Sequence, residues 1–308
     1  MIEVKDFGID GWAALVSKEE RARWYCERLE EGEILFFDHT PFLLPSENRA
    51  FLVNVQQASA AYHKNISYRL KEDRVKGFAR GSTDAERLRA ILRQYSERVT
   101  QFAAELLSPY AQRWRLDFAS FRPVQEQGRQ LSLRARNDLL HVDAFPTRPT
   151  NGDRLLRVFT NINPTQPRIW VTTETFDELA KQFAMSAGLS GVAARARSPF
   201  RRFRRILIRL ARGVGLPLID RSPYDRFMLD FHHYLKTNQA FQESCPKFRW
   251  EFPPNSTWLV FTDMVPHAAL SGRFALEQTF LVPRDALLLP HKAPVQILED
   301  LSGTALTN

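Results

Sequence analysis

Apolar residues follow two different periods along the chain. The first third reads as helical, with one strand. Trp12–Glu30 has helical character, Glu33–Phe37 reads as a short buried strand, and Pro41–Pro45 reads as a loop. Thr83-Asp84-Ala85-Glu86 fits a capping box, with Thr83 as N-cap and Glu86 reaching back. Behind it Leu88, Ile91, Leu92, Tyr95, Val99, Phe102 and Leu106 recur at helical spacing, and Ser108-Pro109 ends the run.

From Tyr110 onward the period shortens. Trp114–Phe121, Gln130–Leu133, Leu139–Val142, Leu155–Asn161, Arg168–Thr173, Lys247–Phe252, Thr257–Phe261 and Phe274–Val282 read as short strands separated by Pro, Gly and Asn. About eight such strands suit a jelly roll or a cupin-like double-stranded β-helix. The expected fold is therefore α+β with a mainly β core, flanking helices and a helical insertion. We expect one domain over 1–308: a helical flank at 1–110, a β core at 110–175 and 247–283, and a helical, basic insertion at 176–244.

Composition changes little in this picture. The 308 residues are 44% hydrophobic and 25% charged, enough for a sizeable core. Two cysteines, Cys26 and Cys245, exclude a disulfide scaffold and fit a reducing compartment. There is no apolar run of 18 residues and no signal-peptide pattern, so a cytoplasmic location is expected.

Charge changes it more. The net charge is +8, and eight arginines with no acid fall between Arg195 and Arg212, so the remainder of the chain is formally neutral. Ser198-Pro199 suits a helix start. Phe200, Phe203, Ile206, Leu207, Leu210, Ala211 and Val214 would share one arc, with Arg201, Arg202, Arg205, Arg209 and Arg212 opposite. Such a helix, over 199–214, suits either an anionic membrane surface or ordinary packing on the core. Nucleic acid is the weaker partner, since no helix-turn-helix, zinc-finger or aromatic-interleaved basic pattern is present.

The candidate chemistry centres on His141-Val142-Asp143. On an extended segment His141 and Asp143 point to one face and can reach one metal ion. A His-x-acid pair is expected about once by chance in a chain of this composition, so its context has to carry the reading. His267, in the loop after the Thr257–Phe261 strand, is placed to supply a third ligand. Two His and one carboxylate leave open positions, the arrangement of non-haem Fe(II) oxygenases. Such a site usually takes a 2-oxo acid and O2, and the far carboxylate of 2-oxoglutarate needs a cation. Alternation puts Arg157, Phe159, Asn161 and Asn163 on one strand face. Arg157 is the first choice for that carboxylate, with Asn161 beside it and Arg122 and Arg273 as second choices.

The segments Leu139–Phe145, Asn151–Pro164, Pro266–Gly272 and Leu276–Phe280 together resemble the 3-deoxy-D-manno-oct-2-ulosonic acid (Kdo) 3-hydroxylases. The resemblance spans most of the chain. It implies an Fe(II)/2-oxoglutarate-dependent dioxygenase that uses O2 to hydroxylate carbon 3 of Kdo on a lipid A precursor, giving Ko. It implies iron ligation by His141, Asp143 and His267, with Arg157 as co-substrate anchor. The partners would be a Kdo-containing glycolipid and the inner-membrane surface, on which the protein would be peripheral. A dioxygenase acting on nucleic acid or protein, and a non-catalytic binding module at the membrane, are the alternatives.

Overall fold

The computed structural model describes residues 1–4, 17–55, 65–78, 83–128, 130–198, 210 and 219–307. The helices among them are α1 (Lys18–Glu30), α2 (Ser46–Asn54), α3 (Thr83–Leu106), α4 (Ser108–Ala111), α5 (Phe176–Phe183), α6 (Leu189–Arg197), α7 (Pro223–Thr237), α8 (Gln239–Ser244) and α9 (Pro294–Ser302). The strands are β1 (Ile2–Glu3), β2 (Leu35–Phe37), β3 (Ile66–Arg69), β4 (Arg74–Lys76), β5 (Arg115–Arg122), β6 (Arg154–Asn161), β7 (Arg168–Thr172), β8 (Phe248–Phe252), β9 (Thr257–Phe261), β10 (His267–Ser271) and β11 (Ala275–Val282).

Eight strands form one sheet in the order β1-β2-β9-β6-β11-β5-β3-β4, antiparallel except where β1 meets β2. A second, antiparallel sheet has the order β10-β7-β8. The architecture is thus mixed, with a large antiparallel sheet and flanking helices.

Alternation gives the large sheet two unlike faces. Leu156 and Val158 of β6, Leu276 and Phe280 of β11, and Ala119 and Phe121 of β5 belong to one apolar cluster with Leu88, Leu92, Tyr95 and Val99 of α3. The opposite face meets the small sheet. There Phe36, Phe159 and Trp258 pack with Trp170 and Phe252 in an aromatic cluster. Phe252 stacks on Trp258 at 3.9 Å between ring centroids, and Trp170 meets Trp258 edge-on at 5.6 Å. The remainder of that inter-sheet space is charged, and it holds the site.

Several sequence expectations are corrected. Gln130–Leu133 is no strand: residues 130–132 are irregular and Leu133–Ala135 is one 3-10 turn. Leu139–Val142 is no regular strand either. His141 makes one isolated bridge with His267, and the Asp143 amide turns instead to the Thr262 carbonyl at 2.9 Å. His267 opens β10 rather than lying in a loop, because its strand pairs with β7. Strands β3 and β4 were not expected; Ile-Ser-Tyr-Arg and Arg-Val-Lys are too short and polar to announce themselves. Insertion 176–244 is helical where described. The Arg-rich helix expected at 199–214 lies outside the described residues apart from Leu210, as do the Thr83 cap side chain and the Trp12–Val16 start of the first helix.

Candidate metal centre

The His141 segment is held in place from three sides. His141 and His267 exchange backbone hydrogen bonds of 3.1 and 2.9 Å. The Gln242 side chain of α8 accepts from the Leu140 amide at 3.1 Å and donates to the Leu140 carbonyl at 2.9 Å. Helix α7, started by a Ser222–Asp225 capping box, brings up His232, whose Nδ1 donates to the Val142 carbonyl at 2.7 Å.

These contacts converge three buried side chains. His141, Asp143 and His267 each offer a ligand atom, and those atoms lie within 4.8 Å of one another. His141 Nδ1 faces the Leu139 carbonyl at 2.7 Å, and His267 Nδ1 faces the Val265 carbonyl at 2.9 Å. A carbonyl only accepts, so each Nδ1 carries the proton and each Nε2 keeps its lone pair. Burial, followed by nearby Lys236, pushes the His141 pKa well below its usual value. Burial also lowers that of His267. Both shifts favour the neutral imidazole, the form that binds metal. Asp143 is also buried, which alone would raise its pKa; the Arg157 guanidinium holds it far below the carboxylate range. Two imidazole nitrogens and one ionised carboxylate suit a divalent first-row metal.

The chamber around them has a volume of about 390 Å³. Arg157 lies in it, as the strand alternation predicts, but two carboxylates engage it. Its Nη1 binds Asp143 Oδ2, and its Nε donates to Glu277 Oε1 at 2.7 Å. Arg122 grips the other Glu277 oxygen through Nε at 3.0 Å, and its Nη1 is 3.6 Å from Glu126. Burial would raise the Glu277 pKa, yet Arg157 and Arg122 hold it at about 2.

Arg168 escaped sequence reasoning. It is 1% exposed, it lines the chamber, and its Nη1 donates to the Gly272 carbonyl at 2.8 Å. Its Nε has no partner, and among the described residues it pairs with no carboxylate. Burial, then neighbouring Arg122, pulls its pKa down to about 10. Gly272 permits the close approach: its φ is +103°, and a Cβ there would fall 2.7 Å from the Arg168 Cα. The signal was available, since period-2 alternation in Arg168–Thr172 puts Arg168, Trp170 and Thr172 on one face.

Two other candidates are not brought to the site. Asn161 is a structural clasp, donating to the carbonyls of Gln166, Phe252 and Pro253 at 3.0, 3.0 and 3.2 Å. Arg273 donates to the Pro123 carbonyl at 3.2 Å and lies over Phe274. Neither lines the chamber.

A buried group of two histidines and one carboxylate between two packed sheets is a donor set that could hold one metal ion with open positions. The family model described as 3-deoxy-D-manno-oct-2-ulosonic acid (Kdo) hydroxylase matches residues 11–305, so the chain belongs to the Kdo hydroxylase family. Among solved structures it is similar to the Kdo hydroxylase KdoO, a non-haem Fe(II) α-ketoglutarate-dependent dioxygenase, in complex with α-ketoglutarate and Fe(III). Identity is 35%, 99% of this chain and 97% of that chain are covered, and the TM-score is 0.81. The cobalt(II) complex of KdoO matches at 35% identity, covering 100% of this chain and 97% of that one, with a TM-score of 0.82. No curated protein matches.

Proposed function

We propose that this protein is an Fe(II)/2-oxoglutarate-dependent dioxygenase that hydroxylates carbon 3 of Kdo in the lipopolysaccharide inner core, giving Ko. The single observation that carries the reading is the convergence of His141, Asp143 and His267 inside a Kdo hydroxylase chain. The two packed sheets would form the double-stranded β-helix of that enzyme class. Supporting this, His141 bridges to His267 of the small sheet, and the Asp143 amide donates to Thr262, which follows β9 of the large sheet.

His141 and His267 would hold Fe(II) through Nε2 and Asp143 through Oδ1, its other oxygen being fixed by Arg157. Such a carboxylate-orienting partner sets ligand geometry and tunes the metal. Fe(II) with 2-oxoglutarate supplies the oxidative chemistry, in which O2 is consumed, the co-substrate becomes succinate and CO2, and a C–H bond gains oxygen. The chain's own contribution is binding, charge and exclusion of water. Of the three arginines, Arg157 binds Asp143 and Glu277, Arg122 binds Glu277 and lies near Glu126, and Arg168 pairs with no carboxylate among the described residues, which leaves the Arg168 charge unmatched. That charge suits the far carboxylate of 2-oxoglutarate, with Arg168 offering its fork and Arg157 and Arg122 held beside it by Glu277. Trp170, stacked on the His267 ring at 4.8 Å, closes the chamber with the aromatic cluster and keeps that imidazole fixed.

The substrate would be a Kdo-lipid A precursor met at the cytoplasmic face of the inner membrane. Among the described residues no helix is long and apolar enough to cross a membrane. The eight arginines of 195–212 would meet anionic head groups from the surface.

Anaerobic loading with Fe(II) and 2-oxoglutarate, followed by O2 and Kdo-lipid A, tests the reading. Succinate release coupled to one added oxygen on Kdo is expected, and neither should occur with His141→Ala. Succinate formation with an unmodified glycolipid would refute the substrate.

A further inference from the structure

The chamber carries more positive charge than one co-substrate requires. Beyond the Arg122–Arg157–Arg168 cluster its lining continues over Asn65, Ser67, Arg69, Phe118, Phe145 and Arg148. These residues come from β3 and the position just before it, from β5, and from the loop that follows Asp143. Strand β3 pairs with β5 with Ile66 opposite Phe121, Ser67 opposite Ser120 and Tyr68 opposite Ala119. Alternation therefore turns Ser67 and Arg69 toward the chamber, together with Phe118 and Ser120, and sends Ile66 and Tyr68 into the apolar core.

Two guanidinium groups rest on one ring. The Arg69 Cζ lies 3.7 Å and the Arg148 Cζ 4.0 Å from the Phe118 centroid, and Arg148 also lies 4.1 Å from Phe145. Stacking fixes the plane of a guanidinium and leaves its N–H edge directed outward. Asp117, beside Phe118 in β5, binds Nη1 of Arg148 and orients that fork further. Arg69 makes no ion pair with a carboxylate among the described residues, and its buried Nε has no partner. Around them Asn65 presents a buried Oδ1 without a hydrogen bond. Cations with ordered planes, an amide, a serine and two aromatic rings suit a hydroxylated, acidic ligand. They suit neither an acyl chain nor bulk water.

We propose that Arg69 and Arg148, stacked on Phe118, form a second anion subsite that recognises the carboxylate of the sugar acid, separate from the arginine cluster that takes the co-substrate. The proposal rests on the reading of the substrate as Kdo. In that sugar the carboxylate is borne by the carbon next to the one hydroxylated. Binding it would therefore fix which C–H bond faces the metal centre. Arg69 and Arg148 are positioning and specificity residues; they touch the substrate's acid group and leave the metal alone.

The test is equilibrium binding to the full chain loaded with cobalt(II) and 2-oxoglutarate. The probes are Kdo methyl glycoside, its carboxyl methyl ester, and inorganic phosphate as a rival anion. Loss of a charge-assisted fork should weaken the acid about 10-fold or more in Arg69→Gln and in Arg148→Gln. Arg148→Lys should recover part of the loss, and 2-oxoglutarate affinity should stay within about 2-fold. The ester should bind wild type about as weakly as the acid binds either Gln variant, and the substitutions should leave it unchanged. Arg249→Gln, on exposed β8, controls for surface charge. Acid binding unchanged in both Gln variants would overturn the subsite. So would an equal penalty on acid and ester, which marks a merely structural role, or phosphate competing as well as the acid. Wild type binding neither acid nor ester would refute the Kdo reading itself, and the subsite with it.

Discussion

The two faces of the large sheet are built from the same strands and do opposite work. In β6, Leu156 and Val158 face the helices while Arg157 and Phe159 face the small sheet. In β11, Leu276 and Phe280 alternate with Glu277 and Thr279 in the same way. Burial is near complete on both sides, so exposure does not distinguish them. What differs is satisfaction. On the helix side apolar surface is removed from water, which stabilises by roughly 25 cal/mol per Å². On the other side buried charges have lost their hydration, and only mutual pairing offsets that cost. Arg168, the unmatched charge, and the unprotonated imidazole nitrogens of His141 and His267 mark where that pairing is left open for a ligand.

The comparison can be broken from the charged side first, where the largest effects are expected. His267→Ala or Asp143→Ala should reduce succinate production to background and remove stoichiometric metal binding, read by metal analysis after gel filtration. Wild-type metal content in either would break the assignment. Next, Arg168→Gln should raise the KM for 2-oxoglutarate by about 10- to 100-fold, as loss of a charge-assisted fork does. Arg157→Gln should instead weaken metal affinity by about 10- to 100-fold, since Arg157 binds the Asp143 carboxylate proposed as a ligand. Identical effects of the two substitutions on metal and co-substrate would erase the distinction between these arginines.

From the apolar side, Leu156→Ala should cost about 2–5 kcal/mol of stability in denaturant unfolding, with the KM for 2-oxoglutarate unchanged. A shifted KM would mean that the faces are coupled. Smallest of all, Arg249→Gln on exposed β8 should stay within about 0.5 kcal/mol of wild type.

Much of this division is legible in the sequence. Period-2 alternation in Leu155–Asn161 sorts Arg157 from Leu156 and Val158, and His141, Asp143 and His267 are readable as a set. The irregular path of 137–143 is not. Its hydrogen bonds run to residues more than 100 positions away, at His267 and Thr262, and no local pattern encodes them. Arg168 was missed because a lone arginine opening a strand usually points to solvent; its burial depends on the close approach of Gly272. Asn161 shares the correct face of β6 but stands at its end, where it clasps the Pro253 turn rather than reaching the chamber. The subsite on Phe118 needs β3, a strand whose sequence is too short and polar to predict.

On this reading the charged face builds one joint site for metal and co-substrate. This is tested most directly by anaerobic calorimetric titration of Fe(II) and then 2-oxoglutarate into wild type, His267→Ala and Arg168→Gln. One Fe(II) and one 2-oxoglutarate should bind per wild-type chain. His267→Ala should show no stoichiometric Fe(II) binding, and Arg168→Gln should show normal Fe(II) with weakened 2-oxoglutarate. Binding of 2-oxoglutarate with wild-type affinity in both variants would contradict the joint site.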